Sequence, residues 1–146
     1  MTRGHIILLV EDNPDDVELT LRAFERSNVG NEIVVARDGP EALDYLFRTG
    51  AHADRAPDAF PQVMLLDLNI PKINGLDVLR RVREDQRTRR LPVVILTTST
   101  EDKDLIRSYD LGANSFIRKP VDFAQFLTAA AQLGLYWLVL NQPAPQ

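Results

Sequence analysis

Val63-Met64-Leu65-Leu66-Asp67 is an apolar run closed by a carboxylate, and Leu68-Asn69-Ile70-Pro71-Lys72-Ile73-Asn74-Gly75 comes next. A short apolar run bounded by turn residues reads as a strand buried on both faces. That leaves Asp67 at the strand's carboxyl end. The same grammar recurs along the chain. Ile6–Val10 runs into Glu11-Asp12-Asn13-Pro14, Pro92–Thr97 into Thr98-Ser99, and Ser115–Ile117 into Arg118-Lys119-Pro120. In an open parallel sheet the carboxyl ends of the strands lie side by side, so these four sites converge on one pocket.

Helical segments separate the strands. Pro14 opens the first helix, at a position where its missing N–H costs nothing, and Asp12 or Asn13 can cap it. Val17, Leu21 and Phe24 form its expected buried stripe, and Asn28 with Gly30 ends it. Glu32–Ala36 is the second strand. Asp38-Gly39-Pro40 turns into a helix carrying Ala42, Leu43, Leu46 and Phe47 on one face. Thr49 to Pro61 reads as an extended surface loop. After Val63–Asp67, Gly75 precedes a helix with Leu76, Val78, Leu79 and Val82. Ser99 and Asp102 form an S-x-x-D capping pattern for the next helix, which ends near Gly112. The last helix is expected from about Asp122 to about Asn141. Five βα units with helical crossovers predict an α/β fold, a doubly wound five-stranded parallel sheet in the flavodoxin-like order 2-1-3-4-5. In that order strands 1 and 3 are neighbours, which brings Glu11 and Asp12 beside Asp67.

Bulk properties narrow the classes. A chain of 146 residues holds one domain with a substantial core. Its net charge of −4 argues against nucleic acid as a partner. There are no cysteines, which excludes a disulfide scaffold or a thiolate metal site and fits a cytoplasmic location. The apolar run Ile6–Val10 is too short for a signal-peptide core or a membrane span.

The converging residues suit phosphorylation of an aspartate. The Asp67 carboxylate is a nucleophile able to attack phosphorus and form an acyl phosphate, provided charge on the phosphoryl oxygens is neutralised. Glu11 and Asp12 are hard oxygen donors suited to Mg2+, and the main-chain carbonyl of Asn69 is a further candidate ligand. Crowded carboxylates repel unless a cation or proton joins them. Lys119 can pair with Asp67 and later with a phosphoryl oxygen, and Thr97 can donate its hydroxyl to another. Taken singly, each site has an ordinary explanation as a cap, a turn or a strand end; together, at the ends of strands 1, 3, 4 and 5, they point to one site.

At Leu9-Val10-Glu11-Asp12-Asn13, Asp67 to Gly75, Leu96-Thr97-Thr98-Ser99 and Gly112 to Pro120, the chain resembles the receiver domains of two-component response regulators. The resemblance covers nearly the whole chain. It implies that Asp67 accepts a phosphoryl group from a sensor histidine kinase, that Glu11 and Asp12 hold Mg2+, and that Thr97 and Lys119 sense the phosphoryl group. Val10-Glu11-Asp12-Asn13-Pro14-Asp15-Asp16, the Leu96–Ser99 strand end and the aromatic final helix resemble stand-alone receivers serving bacterial phytochromes. The link around Ala51–Phe60 is longer than in ordinary receivers. Phe116 stands where the switch tyrosine is common, so an output contact through a tyrosine hydroxyl is not available.

Two other chemistries fit less well. A phosphatase of the dehalogenase type resembles Asp-x-Asp at its nucleophile, whereas here Asp67-Leu68-Asn69 lacks the second acid. A flavin carrier of this fold wants a hydroxyl- and glycine-rich phosphate loop after strand 1, where this chain places acids.

Arg80, Arg81, Arg83, Arg87, Arg89 and Arg90 read as a solvated basic face. His5 and His52 are isolated, with no metal-ligand company. Leu133-Gly134-Leu135-Tyr136-Trp137-Leu138-Val139-Leu140 is apolar nearly all round, and only one side can face its own sheet. Leu135, Tyr136, Trp137, Leu138 and Leu140 are therefore expected to form a homodimer interface; a core helix end and another partner are the alternatives. The expectation is one receiver domain over residues 1–146, a phosphoacceptor with limited self-phosphorylation and self-dephosphorylation chemistry and no room for an output domain.

Overall fold

The computed structural model describes residues 5–26, 31–119 and 123–133. Strands β1 (His5–Val10), β2 (Asn31–Ala36), β3 (Val63–Leu66), β4 (Val93–Thr97) and β5 (Ser115–Arg118) pair in parallel in the order β2-β1-β3-β4-β5. Helices α1 (Pro14–Arg26), α2 (Gly39–Phe47), α3 (Gly75–Glu84), α4 (Asp102–Asp110) and α5 (Phe123–Leu133) alternate with them. The expected topology is the observed one, and the predicted strand limits hold to within a residue or so. The predicted end of α1 at Asn28 and Gly30, and the last helix beyond 133, lie outside the described residues.

Side chains alternate across a strand, so each buried strand feeds two cores. Leu8, Val10, Met64, Leu66, Val93 and Ile95 face Ala42, Leu43, Leu46, Val78, Leu79 and Val82 of α2 and α3. Ile7, Leu9, Val63, Leu65, Val94 and Leu96 face Val17, Ala23 and Phe24 of α1, which also packs on α5. Truncating a fully buried side chain such as Leu79 to alanine costs about 2–5 kcal/mol.

The helix starts are chemically specified. Asn13 Oδ1 accepts from the N–H groups of Asp15 and Asp16. Asp38 Oδ1 accepts from Glu41 N at 2.8 Å while Glu41 Oε1 accepts from Arg37 N. Asn74 Oδ1 accepts from Asp77 N at 3.0 Å. Such caps are worth about 1 kcal/mol each.

Several local expectations are corrected. Leu21 is exposed; Val17, Thr20, Ala23 and Phe24 make the buried face of α1, with the Thr20 hydroxyl satisfied by Asp16 O. Phe47 is only half-buried, and Tyr45 takes its place in the α2 face. The Ser99–Asp102 cap does not form: Glu101 precedes α4 without a side-chain cap, and Ser99 Oγ instead donates to Asp104 Oδ2 at 2.6 Å. Thr49–Pro61 is built rather than merely extended. It carries a 3-10 turn at Gly50–His52. The Arg55 guanidinium donates to the carbonyls of Tyr45, Leu46 and Ala56, the Tyr45 hydroxyl donates to Ala59 O, and Ala59 is buried.

Arg83 is not simply solvated. Its guanidinium donates to the carbonyls of Arg89, Leu91 and Gly112 and to Asn114 Oδ1, tying α3 to the entries of β4 and β5. Nor is His52 isolated: Nε2 lies 3.2 Å from Glu41 Oε2 and the ring meets Tyr45 edge-on. His5 sits at the start of β1, opposite in register to Asn31, and so at the far end of the strand from Glu11.

Candidate functional site: a buried acid cluster at the strand ends

Backbone hydrogen bonds carry the sheet register into the site. Asp67 N donates to Val10 O, Glu11 N to Ala36 O, and Lys119 N to Thr97 O at 2.6 Å. These bonds place Glu11, Asp67, Thr97 and Lys119 just past or at the carboxyl ends of β1, β3, β4 and β5. All four are buried.

Lys119 is the centre of the cluster. Its Nζ donates to Glu11 Oε1 at 2.6 Å, to Asp16 Oδ2 at 2.9 Å and to Asp67 Oδ2 at 3.3 Å. The other oxygen of Asp67, Oδ1, accepts from Asn69 N at 3.0 Å. The carboxylate is thus oriented by one main-chain donor and one ammonium. Thr97 is fully buried, and its Oγ1 accepts from Ser99 N. Asp12 is exposed in the β1–α1 turn. Phe116 is half-buried against the core on the α2–α3 face, with the Arg118 guanidinium 5.8 Å from its ring centre.

Three carboxylates around one ammonium leave an excess of negative charge out of water, and the proton affinities record it. Burial pushes the Glu11 carboxyl up to about 7, reinforced by the Asp67 charge and opposed by its bonds from Lys119 and Asn13. Burial alone would depress Lys119; hydrogen bonds to Glu11 and Asp16 and the charges of Asp67 and Glu11 outweigh it and raise it above the usual lysine range.

Among the described residues no three acidic or histidine side chains are arranged ready to hold a metal ion; the Lys119 ammonium lies between Glu11, Asp16 and Asp67. The donor chemistry still fits a hard divalent cation: Glu11, Asp12 and Asp67 carboxylates with the Asn69 carbonyl, all oxygen, in a site with surplus negative charge.

The β3–α3 connection fixes Asp67 from behind. Gly75 N donates to Leu68 O at 2.9 Å. A Cβ at Gly75 would lie 2.5 Å from Asp67 O and 2.6 Å from Leu68 Cα, so only glycine permits this approach. Lys72, with φ 70°, reaches Asp38 Oδ2 at 3.1 Å.

The structure therefore brings together Glu11, Asp67, Thr97 and Lys119 as the sequence suggested. It adds Asp16, which sequence reading assigned no role. The available signal was its place in the first turn of α1, five residues past Glu11. Leu135, Tyr136, Trp137, Leu138 and Leu140 lie outside the described residues.

Residues 7–131 match the model of the response regulator receiver domain. Among curated proteins, the probable methanogenesis regulatory protein FilR2 of Methanothrix harundinacea is 43% identical over 96% of this chain and 88% of its own. Among solved structures, the bacteriophytochrome response regulator AtBRR is 54% identical, with a TM-score of 0.76 over 96% of this chain and 99% of that one. The phosphorylated cyanobacterial phytochrome response regulator RcpA has a TM-score of 0.88 at 36% identity, covering 98% and 100%. The Mn2+-bound form of response regulator Rcp1 has 0.87 at 31%, covering 97% and 100%. With its sheet order, its acid cluster and these relatives, the chain belongs to the response regulator receiver domain family.

Proposed function

We propose that this receiver accepts a phosphoryl group on Asp67 from a sensor histidine kinase of the phytochrome-linked type, and that the product changes its affinity for partners. The carrying observation is the Asp67 carboxylate itself: buried, with Oδ1 held by Asn69 N and Oδ2 facing Lys119. In the reaction an Asp67 oxygen forms the new P–O bond as the P–N bond to the kinase histidine breaks. The phosphorylated ring carries a proton on its other nitrogen, so the bonding pair of the P–N bond returns to the ring and it leaves as neutral imidazole. Lys119, already bonded to three carboxylates, can transfer one of its N–H groups to a phosphoryl oxygen. The Thr97 hydroxyl is the donor for another, a charge-assisted bond that exists only in the phosphorylated form. Phe116 is the aromatic residue that would turn inward as Thr97 moves.

Glu11, Asp12, Asp67 and the Asn69 carbonyl would hold Mg2+. When bound, the ion neutralises charge on the phosphoryl oxygens. The relatives support both readings: a solved neighbour is a phosphorylated phytochrome response regulator and another is Mn2+-bound. No described helix is long and apolar enough to cross a membrane. The reading assigns the protein a cytoplasmic signalling role, with enzymology limited to its own acyl phosphate.

The test is incubation with acetyl phosphate and Mg2+, read by intact mass. The wild type should gain one phosphoryl group and Asp67→Asn none; full labelling of Asp67→Asn refutes the assignment. The homodimer through Leu135, Tyr136, Trp137, Leu138 and Leu140 rests on the apolar sequence of that segment. Trp137→Ala with Leu140→Ser should shift sedimentation toward monomer while Asp67 still labels. A wild type that sediments as monomer at high micromolar concentration, with and without acetyl phosphate, rejects the dimer.

A further inference from the structure

At the opposite end of the sheet, where the long link enters β3, lies a cleft of about 440 Å³ that the phosphoacceptor chemistry does not use. Arg48, Arg55 and Arg87 line it, with Phe47 and Phe60. Its volume falls within the ordinary range for small-ligand sites, about 300–1,000 Å³.

The charge is the informative part. Arg87 is paired with Asp85 and stacks over Phe47 at 4.6 Å. Arg55 is different. Its donors reach only main-chain carbonyls, of Tyr45, Leu46 and Ala56. Its guanidinium lies 5.1 Å from the Tyr45 ring centre and 5.9 Å from that of Phe60. Those contacts rigidify it without neutralising it. Of five guanidinium N–H groups, three are directed at these carbonyls. Arg48 stands beside it as a like charge. Among the described residues no carboxylate is seen to pair with either, on a chain whose net charge is −4.

Arg48 carries a second signal. It ends α2 with φ 58° and ψ 51°, left-handed backbone, where glycine is the undemanding choice. A side chain other than glycine or asparagine there is uncommon and worth explaining. The long link supplies Arg55 and Phe60, and the end of α2 supplies Phe47 and Arg48, so the cleft exists only because the link is folded onto the helix.

We propose that this cleft binds a small organic anion bearing a flat ring, its negative group between Arg48 and Arg55 and its ring against the Phe47 and Phe60 side. Guanidinium groups recognise carboxylate and phosphate in the plane of the fork, and aromatic walls favour a planar body. The proposal is independent of the phosphoacceptor reading, since no residue of the acid cluster lines the cleft.

The test is calorimetric titration of the whole protein with AMP and with benzoate as charged flat-ring probes. Adenosine supplies ring without charge, and inorganic phosphate charge without ring. At least one charged ring should bind roughly tenfold more tightly than either control, one charge-assisted contact's worth. Arg48→Gln, which leaves the carbonyl bonds of Arg55 in place, should remove most of that advantage. Arg48→Gly, which removes the charge and suits the left-handed backbone at the end of α2, keeps the readout if Arg48→Gln fails to fold. Acetyl phosphate labelling of Asp67 should be unchanged in both. Absence of binding by AMP and benzoate, phosphate matching them, or full affinity in Arg48→Gln and Arg48→Gly would each overturn the proposal.

Discussion

Replacing Lys119 by methionine keeps the length of the side chain and deletes the one cation in the acid cluster. The Lys119, Glu11 and Asp67 side chains are only 7%, 3% and 8% exposed, and Asp16 is 33% exposed. Removing one member of a buried ion pair typically costs about 3–5 kcal/mol, because the remaining charge stays out of water. For a domain of this size each kcal/mol moves the melting point by roughly 2–4 °C, so a fall on the order of 6–20 °C is expected without divalent metal. The pH dependence comes from Glu11, whose carboxyl is already held at about 7 rather than 4.5 in the fold. Lys119 lowers the Glu11 value, so without the ammonium it rises further. A raised acid favours the folded state below its unfolded value and loses that advantage as pH rises through the folded one. The deficit of the variant should therefore be largest at pH 8 and shrink toward pH 5, and millimolar Mg2+ should recover part of it at pH 8. Urea unfolding at the two pH values, in chelator and in Mg2+, measures all three. Glu11→Gln combined with Lys119→Met should lose less than Lys119→Met alone. A Lys119→Met variant within about 1 kcal/mol of wild type at pH 8, ordinary for a surface change, or equally impaired at both pH values, refutes the view that the ammonium neutralises this site.

Gly75→Ala places a methyl group against Asp67 O and Leu68 Cα, so labelling by acetyl phosphate should slow roughly tenfold to a hundredfold, as for misplacement of a reacting group; labelling at the wild-type rate rejects the role given to Gly75. In the proposed site Mg2+ would be held by the ionised Glu11 carboxylate, whose proton affinity lies at about 7, so affinity by calorimetry should be roughly tenfold lower at pH 6 than at pH 8 and level off above. Glu11→Gln should flatten that profile and weaken binding, and an unchanged slope would move the titrating group elsewhere. Arg83→Lys cannot reproduce a fork serving the carbonyls of Arg89, Leu91 and Gly112 with Asn114 and should cost about 2–3 kcal/mol in urea unfolding; a loss near zero would mean the bonds are replaced by water.

The strands and their order were legible because buried parallel strands must be continuously apolar, and Ile6–Val10, Val63–Leu66 and Val93–Leu96 are. A turn residue directly after such a run has little freedom of position, which is why Glu11, Asp67, Thr97 and Lys119 were visible as one site. Helix faces were less legible. Leu21 fits a helical stripe yet is exposed, because which arc of α1 touches the sheet is set by its docking angle and by α5, not by its own periodicity. The link at 49–61 resembled a loop since nothing in its composition shows that Arg55 and Tyr45 would bond main-chain groups across it.

Local sequence was enough for the sheet, its winding and the choice of Asp67 as candidate phosphoacceptor, since these depend on short apolar runs and on the polar residue that closes each one. Folding in three dimensions had to decide that Lys119 bonds Glu11, Asp16 and Asp67 at once, that Arg83 ties α3 to two strands, and that Arg48 and Arg55 share a cleft with Phe47 and Phe60. Most of these contacts join residues far apart in the chain. Their energies depend on burial and on the count of charges in one volume, and neither exists until the chain has closed on itself.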